Sequence, residues 1–382
     1  MSEFDWIAWL KNKARQSGAR DDVVLGIGDD AAICSVPSGM QLIICTDTLV
    51  AGVHFPEQTA ATDIGYKALA VNLSDMAAMG AEPAWMSLAL TVPEMDWDWL
   101  QSFSEGLLEL AAEHGVSLIG GDTTRGPLTV TVTVQGFVPA GSALRRTGAR
   151  VGDDVWVTGS LGDAAAALQQ YKHGPMQSMK LRHRLDRPTP RVAAGLGLRG
   201  LASAAIDISD GLAQDLGHIL SGSGVGAELE LGRLPVSASL LDFHKDDTAR
   251  WALQLSGGDD YELCFTASPA EAFAIEQAMA NQLRPLLGAA EAWGHLLNIG
   301  QSADQAVVER IAAKAQHAFH QPVRPVGQAQ VIEAVVVAMA ADGCTLHGLQ
   351  AQLLLQQPQA AAHRALVHRQ GLPGFGLRAG QF

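Results

Sequence analysis

Aspartates recur beside glycine, serine or threonine along this chain: Asp29 and Asp30 in GIGDDAA, Asp47 in CTDTL, Asp75 in NLSDMAAMGA, Asp122 in GGDTT, Asp207 and Asp210 in IDISDG, Asp259 and Asp260 in SGGDDYE. Singly, each is what a turn or a helix cap uses, because Asp and Gly suit turns for local reasons. Asp75 is harder to place that way. It stands among Val71, Leu73, Met76, Ala77, Ala78 and Met79, and no Lys or Arg follows it within two helical turns. Burying a carboxylate there without a partner costs several kcal/mol, and a metal ion is the economical partner. If the motifs converge, their like charges raise one another's pKa and oppose folding until cations enter. Hard oxygen donors select Mg²⁺ or Ca²⁺, and Mg²⁺ keeps waters and substrate phosphate oxygens in its shell. Such a cleft suits a nucleoside triphosphate, because the cations neutralise both sides.

The elements that must carry these acids alternate between strand and helix. Leu42 to Cys45 reads as a short strand ending in Thr46-Asp47-Thr48, and Thr62 to Gly80 has helical spacing with an apolar face of Ile64, Leu69, Leu73, Met76 and Met79. A second helix is expected from Trp97 to His114, then a strand from Val116 to Ile119 that ends at Gly120-Gly121-Asp122. Leu128 to Val138 alternates as a half-buried strand does, and Pro139 to Ala149 is the expected domain junction. Beyond it, Asp154 to Thr158 and Ala204 to Ile208 read as strands, with Asp163 and either Ser209 or Asp210 as helix caps. Trp251 to Leu255, SGGDD and Tyr261 to Thr266 read as strand, turn and strand. Gly-Gly-Asp thus occurs in both halves, a weak hint of duplication.

At 382 residues the chain can form two domains with their own cores. A formal net charge of −14 argues against a nucleic-acid or anionic-membrane surface. Cys34, Cys45, Cys264 and Cys344 have neither disulfide-framework nor zinc-ligand spacing and suit a reducing cytoplasm. MSEFDWIAWLKNKAR reads as an amphipathic first helix, not as a signal peptide, and no apolar stretch has the length of a membrane span. There is no GxxxxGK[ST] loop, no protein-kinase HRD or DFG set and no HExxH. A formal GxGxxG at Gly195, Gly197 and Gly200 lies in a helix-like stretch before a strand, the reverse of the dinucleotide-binding order.

In order along the chain, GIGDDAA, TDTLVAGVHF, YKALAVNLSDMAAMGA, LIGGDTTRGPL, LRRTGA, AIDISDGLAQDLGHI and SGGDDYELCF resemble the thiamine-monophosphate kinases, a family of the aminoimidazole ribonucleotide synthetase superfamily. The resemblance implies an α/β (α+β) fold of two domains, at 1–138 and 149–345, followed by an atypical tail at 346–382. It also implies a homodimer joined through a sheet or barrel of the N-terminal domains, with ATP and several Mg²⁺ ions as co-substrate and cofactor. Carried over by position, Asp30, Thr46, Asp47, Asp75, Asp122, Asp207 and Asp210 are metal ligands, and Gly121, Asp122, Arg146 and Ser209 contact ATP. His54 and Asp259 contact the thiamine monophosphate. Simpler roles exist for several of them: a turn cap for Thr46, a helix cap for Ser209, a left-handed turn for Gly121, a solvated linker charge for Arg146 and a packed loop imidazole for His54.

Two positions depart from the family pattern. Asp259 replaces its usual Glu, one methylene longer, and the family's C-terminal aromatic has no clear counterpart in Gly348-Leu349 or Gly374-Phe375. The expected reaction is direct in-line phosphoryl transfer without a general base, since a phosphate monoester with a second pKa of about 6 is mostly dianionic at neutral pH. The alternatives are another ATP-using enzyme of the superfamily and a nucleotide-binding homologue without turnover.

Overall fold

The computed structural model describes residues 3–16, 20–174, 178–283, 294–296, 299–300 and 336–339. The stretch expected as a tail, with Gly348-Leu349 and Gly374-Phe375, lies outside the described residues. Helix α1 (Glu3–Gln16) precedes β1 (Val23–Leu25), β2 (Ile33–Cys34), β3 (Met40–Val50), α2 (Ala61–Ala78), β4 (Glu82–Val92), α3 (Trp97–Glu113), β5 (Ser117–Arg125) and β6 (Thr129–Pro139). Then come β7 (Asp154–Val157), α4 (Asp163–His173), α5 (Met179–Asp186), α6 (Val192–Gly197), β8 (Ala204–Asp207) and α7 (Leu212–Ser223). They are followed by β9 (Gly226–Glu230), α8 (Ala238–Phe243), α9 (Asp247–Ser256), β10 (Leu263–Ala267) and α10 (Ala272–Leu283). Short strands β11 (Gly294–Leu296), β12 (Ile299–Gly300) and β13 (Val336–Met339) complete the described elements. None of the described helices is long and apolar enough to cross a membrane.

The first half is a sheet of order β3-β6-β4-β5, with β4 and β5 parallel and the other pairs antiparallel. A parallel pair needs a crossover, and α3 supplies it. Helix α2 packs against α3, β3 and β6 and is buried almost all round, from Ile64 to Ala78. Glycine permits the close approach of α2 and α3. A Cβ on Gly65 would stand 2.0 Å from the Phe103 carbonyl oxygen, and one on Gly106 1.8 Å from that of Thr62. The second half holds the sheet β11-β7-β10-β8 and the smaller sheet β12-β9-β13.

The expected strand at Leu42 to Cys45 is longer than its apolar run, because every residue from Met40 to Val50 pairs with β6. Thr46-Asp47-Thr48 therefore lies inside a strand, and Gly120-Gly121-Asp122 inside β5. Strand β4, in the middle of the sheet, has no clear alternation: it is buried at most positions on both faces and so carries a nearly continuous apolar run. Trp251 to Leu255 is helical, not a strand. It belongs to α9, whose N-cap Asp246 accepts the Ala249 N–H. Residues 195–200 form the end of α6 and a turn, and a Cβ on Gly195 would meet the Ala77 carbonyl oxygen at 2.0 Å, so that glycine serves helix packing.

The two expected caps are also corrected. Helix α4 is capped at Gly162, and Asp163 instead accepts from the Ser160 and Ser237 hydroxyls. Helix α7 is capped at Gly211, with no side-chain cap from Ser209 or Asp210.

Candidate active site

Strand β3 has two faces. Cys45 Sγ reaches the Asn72 carbonyl of α2 at 3.4 Å, so Cys45, Asp47 and Leu49 face the helix. Thr46 and Thr48 face the other way, and their hydroxyls pair with those of Thr133 and Thr131 at 2.9 and 2.8 Å. Helix α2 directs Val71 and Asp75, one turn apart, to the same side as Asp47. Strand β8 ends at Asp207, and the loop after it brings Ser209 and Asp210 alongside.

Together these residues line a cleft of about 480 Å³ that also includes His54, Arg146, Gly257, Gly258, Asp259 and Tyr261. Asp47, Asp75, Asp207, Asp210, Arg146, Ser209, His54 and Asp259 are thus gathered as the sequence implied. Asp30, Thr46, Gly121 and Asp122 are not. Asp30 is exposed in the loop between β1 and β2, and Thr46 lies on the outer face of β3. Gly121 and Asp122 are exposed on the edge strand β5. Register places Asp47 level with Val132, Leu88 and Gly121. Three strand spacings, roughly 14 Å, therefore separate the first from the last. Gly121 has no left-handed backbone; it is a glycine because a Cβ would stand 1.9 Å from the Leu88 carbonyl oxygen.

The cleft holds more negative charge than it compensates. Burial, followed by repulsion from Asp207 and Asp47, pushes the Asp75 carboxyl up to about 7, against a downward pull from Arg146. Burial also raises Asp207, opposed first by the Ser74 hydroxyl, which donates to its Oδ2 at 2.8 Å. Asp47 is raised for the same reason, with His54 opposing. Among the described residues no three His, Cys, Asp or Glu side chains form a ready chelate. That donor set fits Mg²⁺, which is typically held by one or two carboxylates with water and phosphate oxygens completing the shell.

Three features escaped the sequence reading. Asp215 Oδ2 accepts the backbone N–H groups of Ser209, Asp210 and Gly211 at 3.0, 3.0 and 3.1 Å, which shapes the loop and leaves the Ser209 and Asp210 side chains to the cleft. Burial pushes Asp215 up to about 7 although the backbone donors pull it down. A second Asp one turn into an apolar helix was the available signal. Lys67 is the second: its side chain is 1 % exposed, and its Nζ stands 3.3 Å from Asp259 Oδ1. It also donates to the His54 carbonyl at 3.3 Å.

The third is the backbone of the Gly-Gly-Asp-Asp-Tyr turn, with φ of 71° at Gly258, 60° at Asp259 and 51° at Tyr261. Positive φ at a bulky residue costs on the order of 1–3 kcal/mol and persists only where the surroundings over-determine it. Here the Asp259 and Tyr261 N–H groups donate to the Ser209 and Ile208 carbonyls, both at 2.8 Å, which binds the turn to the β8 loop. The next residue anchors it further. Fully buried Glu262 accepts two hydrogen bonds from Arg191 at 2.5 Å, one from Arg184 at 2.7 Å and one from the Thr158 hydroxyl at 2.7 Å.

The His54 ring lines the same cleft as this turn. Its Nδ1 accepts the Val50 N–H at 3.0 Å, so the neutral ring carries its proton on Nε2, where a ligand can accept it.

Residues 28–138 match the family model of the AIR synthase related protein N-terminal domain, and residues 150–309 that of the C-terminal domain. The chain is 50% identical over 284 residues to the thiamine-monophosphate kinase of Salmonella typhimurium, covering 72% of this chain and 86% of that protein. Its fold is similar to the crystal structure of thiamine-monophosphate kinase from Stenotrophomonas maltophilia. The TM-score is 0.71 and the identity 46%, with 79% of this chain and 95% of that one covered. It is also similar to AaThiL complexed with AMPPCP and TMP, with TM-score 0.60 and 27% identity over 78% of this chain and 91% of that one.

Proposed function

Because this chain belongs to the thiamine-monophosphate kinase family, we propose that it transfers the terminal phosphoryl group of ATP to the phosphate of thiamine monophosphate, giving thiamine diphosphate and ADP. The observation that carries the reading is the single cleft joining Asp47 and Asp75 from the first half of the chain to Asp207, Ser209, Asp210 and Asp259 from the second. A relative of the same fold binds AMPPCP and TMP together.

Both substrates are polyanions, and the barrier is their mutual repulsion. Asp47, Asp75, Asp207 and Asp210 would hold Mg²⁺ in the cleft; Asp30, Thr46 and Asp122, the other ligands the family resemblance implies, stand outside it. The cation supplies charge neutralisation to the phosphates when bound. The residues of the chain do the rest. The Arg146 guanidinium, facing Asp75 and Asp207, can fork two phosphate oxygens. Ser209 offers a hydroxyl from a loop fixed by Asp215; Gly121 and Asp122, the other ATP contacts the family resemblance implies, lie outside the cleft on β5. His54 Nε2–H and Asp259 present a donor and an acceptor to thiamine monophosphate. No base is needed, because the attacking phosphate is already mostly dianionic. Transfer is in line, without a phosphoenzyme.

The division into an N-terminal unit at 1–138, a C-terminal unit at 149–345 and a tail at 346–382 belongs to the same reading. So does a homodimer. Val24, Ile33 and Ile44 expose 66, 53 and 60 % of their surfaces, and Ile44 lies on the outer face of the edge strand β3. A second copy would cover this apolar face. Equilibrium sedimentation that returned a monomer at micromolar concentration would remove the dimer.

The reaction itself is tested by incubating the full chain with ATP, Mg²⁺ and thiamine monophosphate and resolving the products. Stoichiometric ADP and thiamine diphosphate are expected; ATP hydrolysis alone, or no turnover, overturns the assignment.

A further inference from the structure

Lys67, Val71 and Asp75 follow one another at one-turn intervals on α2 and so lie along one face of the helix. Val71 and Asp75 line the cleft, whereas Lys67 stands behind it. At 1.5 Å per residue, Lys67 is about 12 Å from the Asp75 end of the cleft. Burying an ammonium costs several kcal/mol unless it is paired, so this lysine must be held by specific partners. The partners are the His54 carbonyl and Asp259 Oδ1, each 3.3 Å from Nζ. The Tyr261 hydroxyl donates to the same Asp259 oxygen at 3.0 Å. Oδ2 is therefore the oxygen left for a ligand.

We propose that Lys67 is a positioning residue for the phosphoryl acceptor, clamping the backbone that carries the His54 ring and the carboxylate of Asp259 so that both sides of the acceptor wall stay in register. The inference rests on the reading in which His54 and Asp259 contact thiamine monophosphate. It gives a purpose to the buried ammonium of α2. It also explains how a carboxylate on a left-handed backbone, shorter than the family's glutamate, is held toward the ligand. Because Lys67 is held by the His54 carbonyl and Asp259, both assigned to the acceptor, its influence should be confined to the acceptor.

The experiment is steady-state kinetics of the full chain and of Lys67→Met, Asp259→Asn and the double variant. Met fills the same volume on a helix without the ammonium. Wild-type product is read first: without thiamine diphosphate, the reaction assignment fails and this role with it. With an active wild type, Lys67→Met is expected to raise KM for thiamine monophosphate about tenfold, while KM for ATP stays within about twofold and kcat within about threefold. The double variant should be no worse for the acceptor than the weaker-binding single one, since both remove the same clamp. An equal rise in both KM values, a fall in kcat alone, or fold-changes that multiply in the double variant would overturn the proposal. Should Lys67→Met lose cooperative melting, Lys67→Gln, which keeps an N–H donor, is read by the same criteria.

Discussion

Glu262, beneath the Gly-Gly-Asp-Asp-Tyr turn, and the aspartates of the cleft have opposite electrostatics. Glu262 is fully buried, yet the Arg191 and Arg184 guanidiniums hold its carboxyl below the usual range. Asp207 is buried and Asp75 and Asp47 are half-buried in a cleft shared with Arg146; burial holds all three above the usual range, with repulsion adding to it at Asp75 and Asp207. Glu262 is the more desolvated, yet it is the one held ionised, because it alone has cations in contact. Where the protein supplies its own cations the acid is structural, as with Glu262 beneath the Gly-Gly-Asp-Asp-Tyr turn. Where it leaves the charge open, the missing cations must come with the ligand.

The largest effect that separates the two sets is on folding. Glu262→Gln leaves Arg191 without its carboxylate and Arg184 with only the more distant Asp163, and should cost about 3–5 kcal/mol in chemical denaturation at pH 7. Because the folded pKa of Glu262 is depressed, its contribution is present above the unfolded value of 4.5 and is lost as pH falls through the folded one. A variant as stable as wild type at pH 7 would erase the distinction. Next comes Asp75→Asn, which should keep the fold and lower turnover at limiting Mg²⁺ by at least about a hundredfold, some 2.7 kcal/mol. Rates like those of wild type would remove Asp75 from the cation-binding set.

The smallest effect has the opposite sign. The folded pKa of Asp75 is raised to about 7 from 3.8, so the ionised carboxylate costs stability above pH 7, and the cost disappears as pH falls toward 4. In EDTA, Asp75→Asn should therefore melt higher than wild type at pH 8, by roughly 1–2 kcal/mol after screening, and equally at pH 4. A destabilised variant at pH 8 would mean that Asp75 already has a compensating partner in the protein.

Much of this was legible in the sequence where local periodicity speaks. The helix around Asp75 and the strand before Pro139 were readable within a residue or two, the helix from the spacing of its large apolar residues and the strand from its alternation. Strand β4 was not, since burial on both faces removes the alternation that marks a strand. The helix ending at Ser256 was misread from five apolar-rich residues, when its start is written upstream in the Asp246 cap. The cleft's own acids were found by motif, but Lys67 and Asp215 act through contacts that no spacing encodes. The opposite directions of Thr46 and Asp47 could have been read, since neighbours in a strand always face apart.

That alternation has an evolutionary side. Strand β3 spans 11 residues in unbroken register with β6, turning Cys45, Asp47 and Leu49 inward and Ile44, Thr46 and Thr48 outward. Side-chain replacements on one face leave the other in place, so the two surfaces can drift independently. A single inserted or deleted codon between Met40 and Asp47 would exchange them, sending the carboxylate outward and an isoleucine or threonine into the cleft. The strand should therefore admit no change of length, whatever substitutions either face accepts.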